Sequence, residues 1–200
     1  DPFMLATTSV ARSKLDTRIS RTPRKTRTSR TTSPSRKARK KQELMAHKKK
    51  MNAAALAAYR EENTNFLANL EGKPGIQTLR CGVKYKVLNP APPIPEGATE
   101  RTLRKLQSTP QPRSVVTVHY DGKLIDGKQF DSSRRGSGAP AVFRVNELIT
   151  GWQVALVNMH IGEKWEIYVP AEAGYGERGA GRDIPGHSTL IFQLELIDIN

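Results

Sequence analysis

Histidine, cysteine and glycine-flanked serine are the residue types that most often carry metal, nucleophilic or nucleotide chemistry. In this chain their spacing supports none of the three. His47, His119, His160 and His187 are dispersed, without the helix-face or Cys/His spacing that gathers ligands around zinc. Cys81 stands alone, which excludes an intrachain disulfide and a multi-cysteine metal site. Gly136, Gly138 and Ala141 fall at the positions of a dinucleotide fingerprint. That motif needs a preceding strand and a following helix so that amide donors face the phosphates, whereas Pro140 and a strand-like run follow here. Ser137, between two glycines, lacks the spacing of a strained nucleophile elbow. No metal or cofactor is expected.

The elements around these residues fall into segments of different composition. The chain has 200 residues, enough for one ordinary domain with appendages. Charge is uneven: residues 1–50 hold 16 Lys/Arg against 3 Asp/Glu, whereas residues 51–200 hold 17 against 16. The basic character therefore belongs to one end. Asp1, Pro2 and Phe3, ahead of Met4, read as an expression remnant. Residues 1–40 are rich in Arg, Lys, Thr, Ser and Pro and poor in apolar groups, so burial cannot offset the entropy of ordering; a disordered basic tail is expected. Residues 41–72 are rich in Ala, Lys, Glu, Leu and Met and predict a helical segment. Leu56, Tyr59, Phe66 and Leu70 give it a narrow apolar stripe, broken by polar Asn63. Gly72 and Pro74 stop it.

Residues 73–112 predict a strand and a Pro-rich connection: Val83, Tyr85 and Val87 alternate with Lys84 and Lys86, then six prolines fall from Pro90 to Pro112. Ala98–Gln107 has the composition of a short helix within that connection. Residues 113–200 read as short strands and turns. Val115–Tyr120 is β-branched, Asp121-Gly122 and Asp126-Gly127 are turn pairs, and Phe143–Val145 is a further strand. Asn146 is the expected N-cap of a helix with Leu148, Ile149, Trp152 and Leu156 on one face, ended by Gly162. Trp165, Ile167 and Val169 form a strand, and a glycine-rich loop from Pro170 to Gly186 leads to a long strand over Thr189–Ile199. The fold class is α+β, an antiparallel sheet with one helix packed on it.

Four pieces occur in a fixed order: Val118–Arg134, Leu148–Trp152, Gly174–Gly176 and Ile184–Phe192. Together they resemble the FKBP family of peptidyl-prolyl cis/trans isomerases over about 88 residues. Upstream, Phe66–Asn69, Lys73–Gly75 and Val83–Leu88 resemble the run-in of the macrophage infectivity potentiator type. The resemblance implies a bent antiparallel half-barrel around a short helix, with an apolar pocket between them. It places pocket residues at Tyr120, Phe130, Asp131, Phe143, Leu148, Ile149, Trp152, Tyr175, Ile184, His187 and Phe192. Catalytic roles fall on Asp131, Tyr175, Phe130 and Trp152, with Trp152 as the pocket floor. Ala139, Pro140 and Ala141 stand where the family often carries an aromatic residue, which implies a more open rim. The family's basic residue after Ser133 has no counterpart placed with security in Arg134–Gly138.

The implied activity is acceleration of X-Pro rotation in peptides and folding proteins. Rotation breaks amide resonance and takes tens of seconds or more unaided. An apolar pocket helps because the twisted amide has less charge separation than the planar one. In this reading Trp152, Phe143 and Phe192 hold the prolyl ring, Tyr175 donates to a substrate carbonyl and Asp131 orients the rotating amide. The runner-up is a binding module for proline peptides. Expected partners are proline-containing peptides or proteins, and the macrolides tacrolimus and rapamycin. Residues 4–50 suggest a polyanion: nucleic acid, the ribosome or an acidic protein. The type with an N-terminal dimerisation helix leaves monomer and homodimer open. No run of 18 apolar residues exists, so no transmembrane segment is expected. The single cysteine and the absence of an apolar leader predict an intracellular place, cytoplasmic and/or nuclear, with mitochondrial as the alternative.

Overall fold

A computed structural model of the chain describes the backbone of residues 36–200 and the side chains of residues 52–200. The disordered tail expected over residues 1–40 lies outside the described residues as far as residue 35. The described residues divide between two units, one holding Leu56–Asn200 and the other ending at Ala55. Of the second unit, only the helical run from residue 36 is described. Everything below concerns Leu56–Asn200.

Helix α1 spans Arg36–Ala68, and the turns beyond it carry Leu70 into a small cluster with Tyr168 and Ile191. Then come β1 (Gln77–Thr78), β2 (Lys84–Asn89), helix α2 (Glu100–Gln107), β3 (Val115–Leu124), β4 (Gln129–Ser132), β5 (Ala141–Arg144), helix α3 (Thr150–Leu156), β6 (Lys164–Val169) and β7 (Leu190–Ile199). The strands form one antiparallel sheet in the order β1-β2-β6-β7-β3-β4, with β5 pairing the first half of β3. The last strand in sequence, β7, is therefore central, flanked by β6 and β3. Alternation explains its neighbour well: along β3 every second residue, Val116, Val118, Tyr120, Gly122 and Leu124, is buried. The Val116, Val118, Tyr120 and Leu124 side chains join Trp152, Ala155 and Leu156 of α3 in the main core.

Two local expectations are corrected. Asp121-Gly122 is not a turn but the middle of β3, where Asp121 pairs Gln193 and Gly122 pairs Phe192. Glycine is required there by space rather than by φ, since a Cβ would come within 2.8 Å of the Phe130 and Phe192 rings. The turn is made instead at Asp126, whose Oδ1 accepts from Lys128 N at 2.8 Å, with Gly127 at φ +86°. Asn146 does not cap α3. It lies in a 3₁₀ turn over Val145–Glu147, and α3 begins after Ile149, with no side-chain cap. The helix is instead fixed by burial, and Gly151 lets it approach β6 so closely that any Cβ would strike the Val169 side chain. Short helix α2 has the cap its sequence offers: Thr99 Oγ1 accepts from Thr102 N at 3.3 Å.

Candidate active site

Trp152 is fully buried on α3, and three rings meet it edge-on. Tyr120 from β3 lies 5.1 Å away at 80°, Phe192 from β7 at 5.3 Å and 90°, and Phe143 from β5 at 6.0 Å and 88°. Phe130 from β4 stands perpendicular to Phe192 at 5.6 Å. Edge-to-face contacts use the quadrupoles of the rings favourably. Four strands and one helix thus each deliver an aromatic group to one place. Leu148, Ile149 and Ile184 are buried in the same cluster, and Phe143 and Tyr175 pack against it half-exposed.

Asp131, next to Phe130 on β4, is a buried carboxylate in this apolar wall. Tyr120 Oη donates to its Oδ2 at 2.9 Å, and Ser132 N donates to its Oδ1 at 2.8 Å. A charge so placed needs such donors to offset its desolvation. Burial, followed by the hydrogen bond to Asp131, pushes the Tyr120 hydroxyl well above the usual phenol range. Burial, followed by the charge of Asp131, pushes Tyr175 up as well. Both phenols are therefore held as donors. They differ in one respect: Tyr120 has its acceptor, whereas Tyr175 Oη is buried without a hydrogen-bond partner among the described residues. An acceptor from a bound molecule would complete it.

His187 is tied to this region through its backbone, its N–H donating to Gly176 O at 2.9 Å beside Tyr175. It has φ +65°, left-handed backbone at a non-glycine residue. On the rim, Ala141 is half-buried and Val142 is 60% exposed. The arrangement brings ten of the eleven expected pocket residues into one apolar cluster or onto its carboxylate, and sets the eleventh, His187, beside it. Sequence reasoning missed the Tyr120–Asp131 hydrogen bond and the indole N–H of Trp152, which is buried and unpaired among the described residues. Position alternation along β3 and β4 could have flagged the first.

Residues 107–197 match the family model described as FKBP-type peptidyl-prolyl cis-trans isomerase, and residues 23–87 match the domain amino-terminal to it. A peptidyl-prolyl cis-trans isomerase of Pseudomonas syringae pv. tomato str. DC3000, known from a crystal structure, is 33% identical, with TM-score 0.60 over 72% of this chain and 95% of that one. The chain belongs to the FKBP-type peptidyl-prolyl cis-trans isomerase family. Another FKBP-type relative, the 22 kDa isomerase of Escherichia coli (strain K12), is 43% identical over 138 residues, covering 69% of this chain and 60% of that protein. A third, named outer membrane protein MIP, from Legionella longbeachae, is 38% identical over 134 residues, covering 67% of this chain and 51% of that protein. The chain thus spans between half and three fifths of the length of these two curated relatives. The Legionella relative overturns the expectation of an intracellular place, cytoplasmic and/or nuclear or else mitochondrial. That expectation leaned on a single cysteine, yet this FKBP core is closed by apolar packing and needs no disulfide in any compartment. No helix among the described residues is long and apolar enough to cross a membrane.

Proposed function

We propose that the chain is a peptidyl-prolyl cis/trans isomerase acting on X-Pro bonds in peptides and folding proteins, with no covalent intermediate. The observation that carries the reading is the pairing of an aromatic cluster around Trp152 with two protonated phenols beside one buried carboxylate. Trp152, Phe143 and Phe192 take the prolyl ring, and Trp152 supplies the floor. Tyr175 Oη, free of internal partners, donates to a substrate carbonyl, while Asp131, held by Tyr120 and Ser132, orients the rotating amide. Leu148, Ile149, Ile184 and Phe130 wall the site, and His187 flanks it. Leaving water favours the twisted amide, which is less dipolar than the planar one, so the walls themselves lower the barrier. The test is turnover of a fluorogenic X-Pro tetrapeptide by the full chain. Binding of the peptide without acceleration would replace the isomerase reading with that of a proline-binding module.

Tacrolimus or rapamycin should compete with that peptide, more weakly than the family's pocket alone would suggest because Ala141 leaves the rim open. The basic segment, residues 4–50, is assigned to a polyanion: nucleic acid, the ribosome or an acidic protein. Without aromatic residues interleaved to stack on bases, it should act by phosphate neutralisation, and six engaged cations would give a log K against log salt slope of about −5 on duplex DNA. Flat salt dependence would cancel that assignment. The resemblance to the type with an N-terminal dimerisation helix supports a homodimer through α1, and sedimentation of the full chain decides between it and a monomer.

A further inference from the structure

The segment between Ile184 and the start of β7 lies against the proposed pocket but outside the sheet's ladder. Pairing of β7 with β3 and β6 begins at Leu190, and Ile184 is tied only to Ala180 across a single bridge. His187 in this segment holds a left-handed backbone, a conformation that persists at a non-glycine residue only where the surroundings fix it. Within the segment, Ser188 Oγ donates to Pro185 O at 2.7 Å and His187 N to Gly176 O at 2.9 Å. Thr189, 1% exposed, has an amide that the sheet does not use.

Helix α1 supplies what is missing. Asn63, only 2% exposed, accepts Thr189 N on its Oδ1 at 2.7 Å and receives Thr189 Oγ1 on its backbone carbonyl at 3.4 Å. Its other side-chain end is also committed, Nδ2 donating to Tyr59 O at 2.8 Å. One turn earlier, Tyr59 Oη and Ser188 Oγ share a hydrogen bond of 2.9 Å. Every polar atom of the Asn63 side chain is thus used, Nδ2 on a carbonyl of its own helix, which fixes the amide's orientation, and Oδ1 on Thr189.

We propose that Asn63 is a positioning residue for the proline site, bracing the Pro185–Thr189 segment so that Ile184 and His187 stay in place against the pocket. It touches no reacting atom. The inference rests on the isomerase reading above and extends the site to a helix that precedes every pocket residue. Loosening the brace lowers the fraction of molecules with a competent wall, and apparent affinity falls by that fraction while the chemistry of the competent form is unchanged. A structural role alone would instead lower the amount of folded enzyme and leave KM unaltered.

The test compares the full chain with Asn63→Ala and Tyr59→Phe in the X-Pro peptide assay, and reads amide exchange by NMR in the same samples. Loss of a buried hydrogen bond that leaves Thr189 N unpaired should raise KM by about threefold to tenfold at unchanged kcat. Exchange at His187, Ser188 and Thr189 should accelerate, with Leu194 and Leu196 of β7 as protected as before. Tyr59→Phe, a smaller change at a half-exposed side chain, should move KM in the same direction by about twofold. Should Asn63→Ala disturb the whole sheet, Tyr59→Phe alone carries the decision. Unchanged KM in a folded variant whose Thr189 amide exchanges faster would overturn the proposal, as would unchanged exchange at Thr189. If the wild-type chain binds the peptide without turning it over, the isomerase reading falls, and the brace is then read as a rise of the same size in peptide Kd.

Discussion

Two buried tryptophans share the main core, one on α3 and one on β6, and the contrast between them separates plain packing from the proposed site. Trp165 on β6 stacks nearly parallel on Tyr85 of β2, with centroids 4.2 Å apart and planes at 18°. Trp152 meets three rings at close to right angles and stacks on none. Both indole N–H groups are buried and unpaired among the described residues, so an orphaned indole donor does not by itself mark a site. What marks the Trp152 end is its company: a buried carboxylate, one phenol bonded to it, and another phenol near it with no partner. The Trp165 end has no such group: the phenol stacked on it, Tyr85, has its hydroxyl already engaged, donating to Gln77 Oε1 at 2.6 Å, as does Tyr168 on the other face of β6, donating to Glu166 Oε1 at 2.5 Å.

The contrast breaks most readily by truncating each indole. Trp152→Leu should lower kcat/KM by at least about tenfold, since it removes the cavity floor, whereas Trp165→Leu should leave the activity of the folded fraction within about twofold. Both should lower thermal stability, because each leaves a core void worth a few kcal/mol. Equal loss of activity would erase the distinction. Removing the charge is the next step down. Asp131→Leu should cost about tenfold to a thousandfold in kcat/KM if oriented electrostatics contribute, with circular dichroism unchanged; full activity would take the carboxylate out of the mechanism.

The phenols sharpen the comparison at single-atom scale. Tyr175→Phe should lower kcat/KM by about fivefold to tenfold without loss of stability, because the deleted hydroxyl has no internal partner. Tyr168→Phe should do the reverse, costing about 1 kcal/mol of stability by urea unfolding and no activity. Because folding raises the values of Tyr120 and Tyr175, their stabilising effect is complete below the unfolded value, about 10, and is lost only as pH rises through the higher folded values. Activity should therefore show no tyrosine titration up to about pH 10. The smallest effect lies at the other end of the scale. Lys105 Nζ, 2.6 Å from Asp198 Oδ1, lowers that carboxyl and ties α2 to β7. That contribution is present above the unfolded value and fades as pH falls below about 4, so α2 amides should exchange faster there while the pocket amides do not.

The elements were legible where local periodicity and burial agree. Along β3, Val116, Val118 and Tyr120 alternate as their types suggest, and the pocket aromatics were reached through a set of motifs in fixed order. Asp121-Gly122 failed because its composition states a turn, while the reason for its glycine is a distant one, the rings of Phe130 and Phe192. Asn146 failed similarly, since a residue suited to capping was used in a 3₁₀ turn and burial alone fixed α3. Asn63 is the instructive case. It interrupts an apolar stripe at the position where helical spacing calls for an apolar side chain, and the interruption reads as weakness. A polar residue in such a place is buried only if it has partners, but the partners, Thr189 and its amide, lie 126 positions away in the chain. No local pattern could name them.

The position of β7 has a bearing on how the protein is made. Val115 and Asn200 exchange both backbone hydrogen bonds, at 3.1 and 2.8 Å, so the first residue of β3 is closed against the last residue after β7. Synthesis runs from α1 towards β7, and β3 and β6 have no shared neighbour until β7 is inserted between them. Phe192, which completes the ring of aromatics around Trp152, arrives with it. A growing chain therefore exposes the apolar faces of β3, β6 and α3 without a sheet to cover them, and non-local pairing of this kind is slow. The chain must itself pass through a long interval in which its core is uncovered, and the ring cluster around Trp152 is complete only once β7 has been threaded into the middle of the sheet.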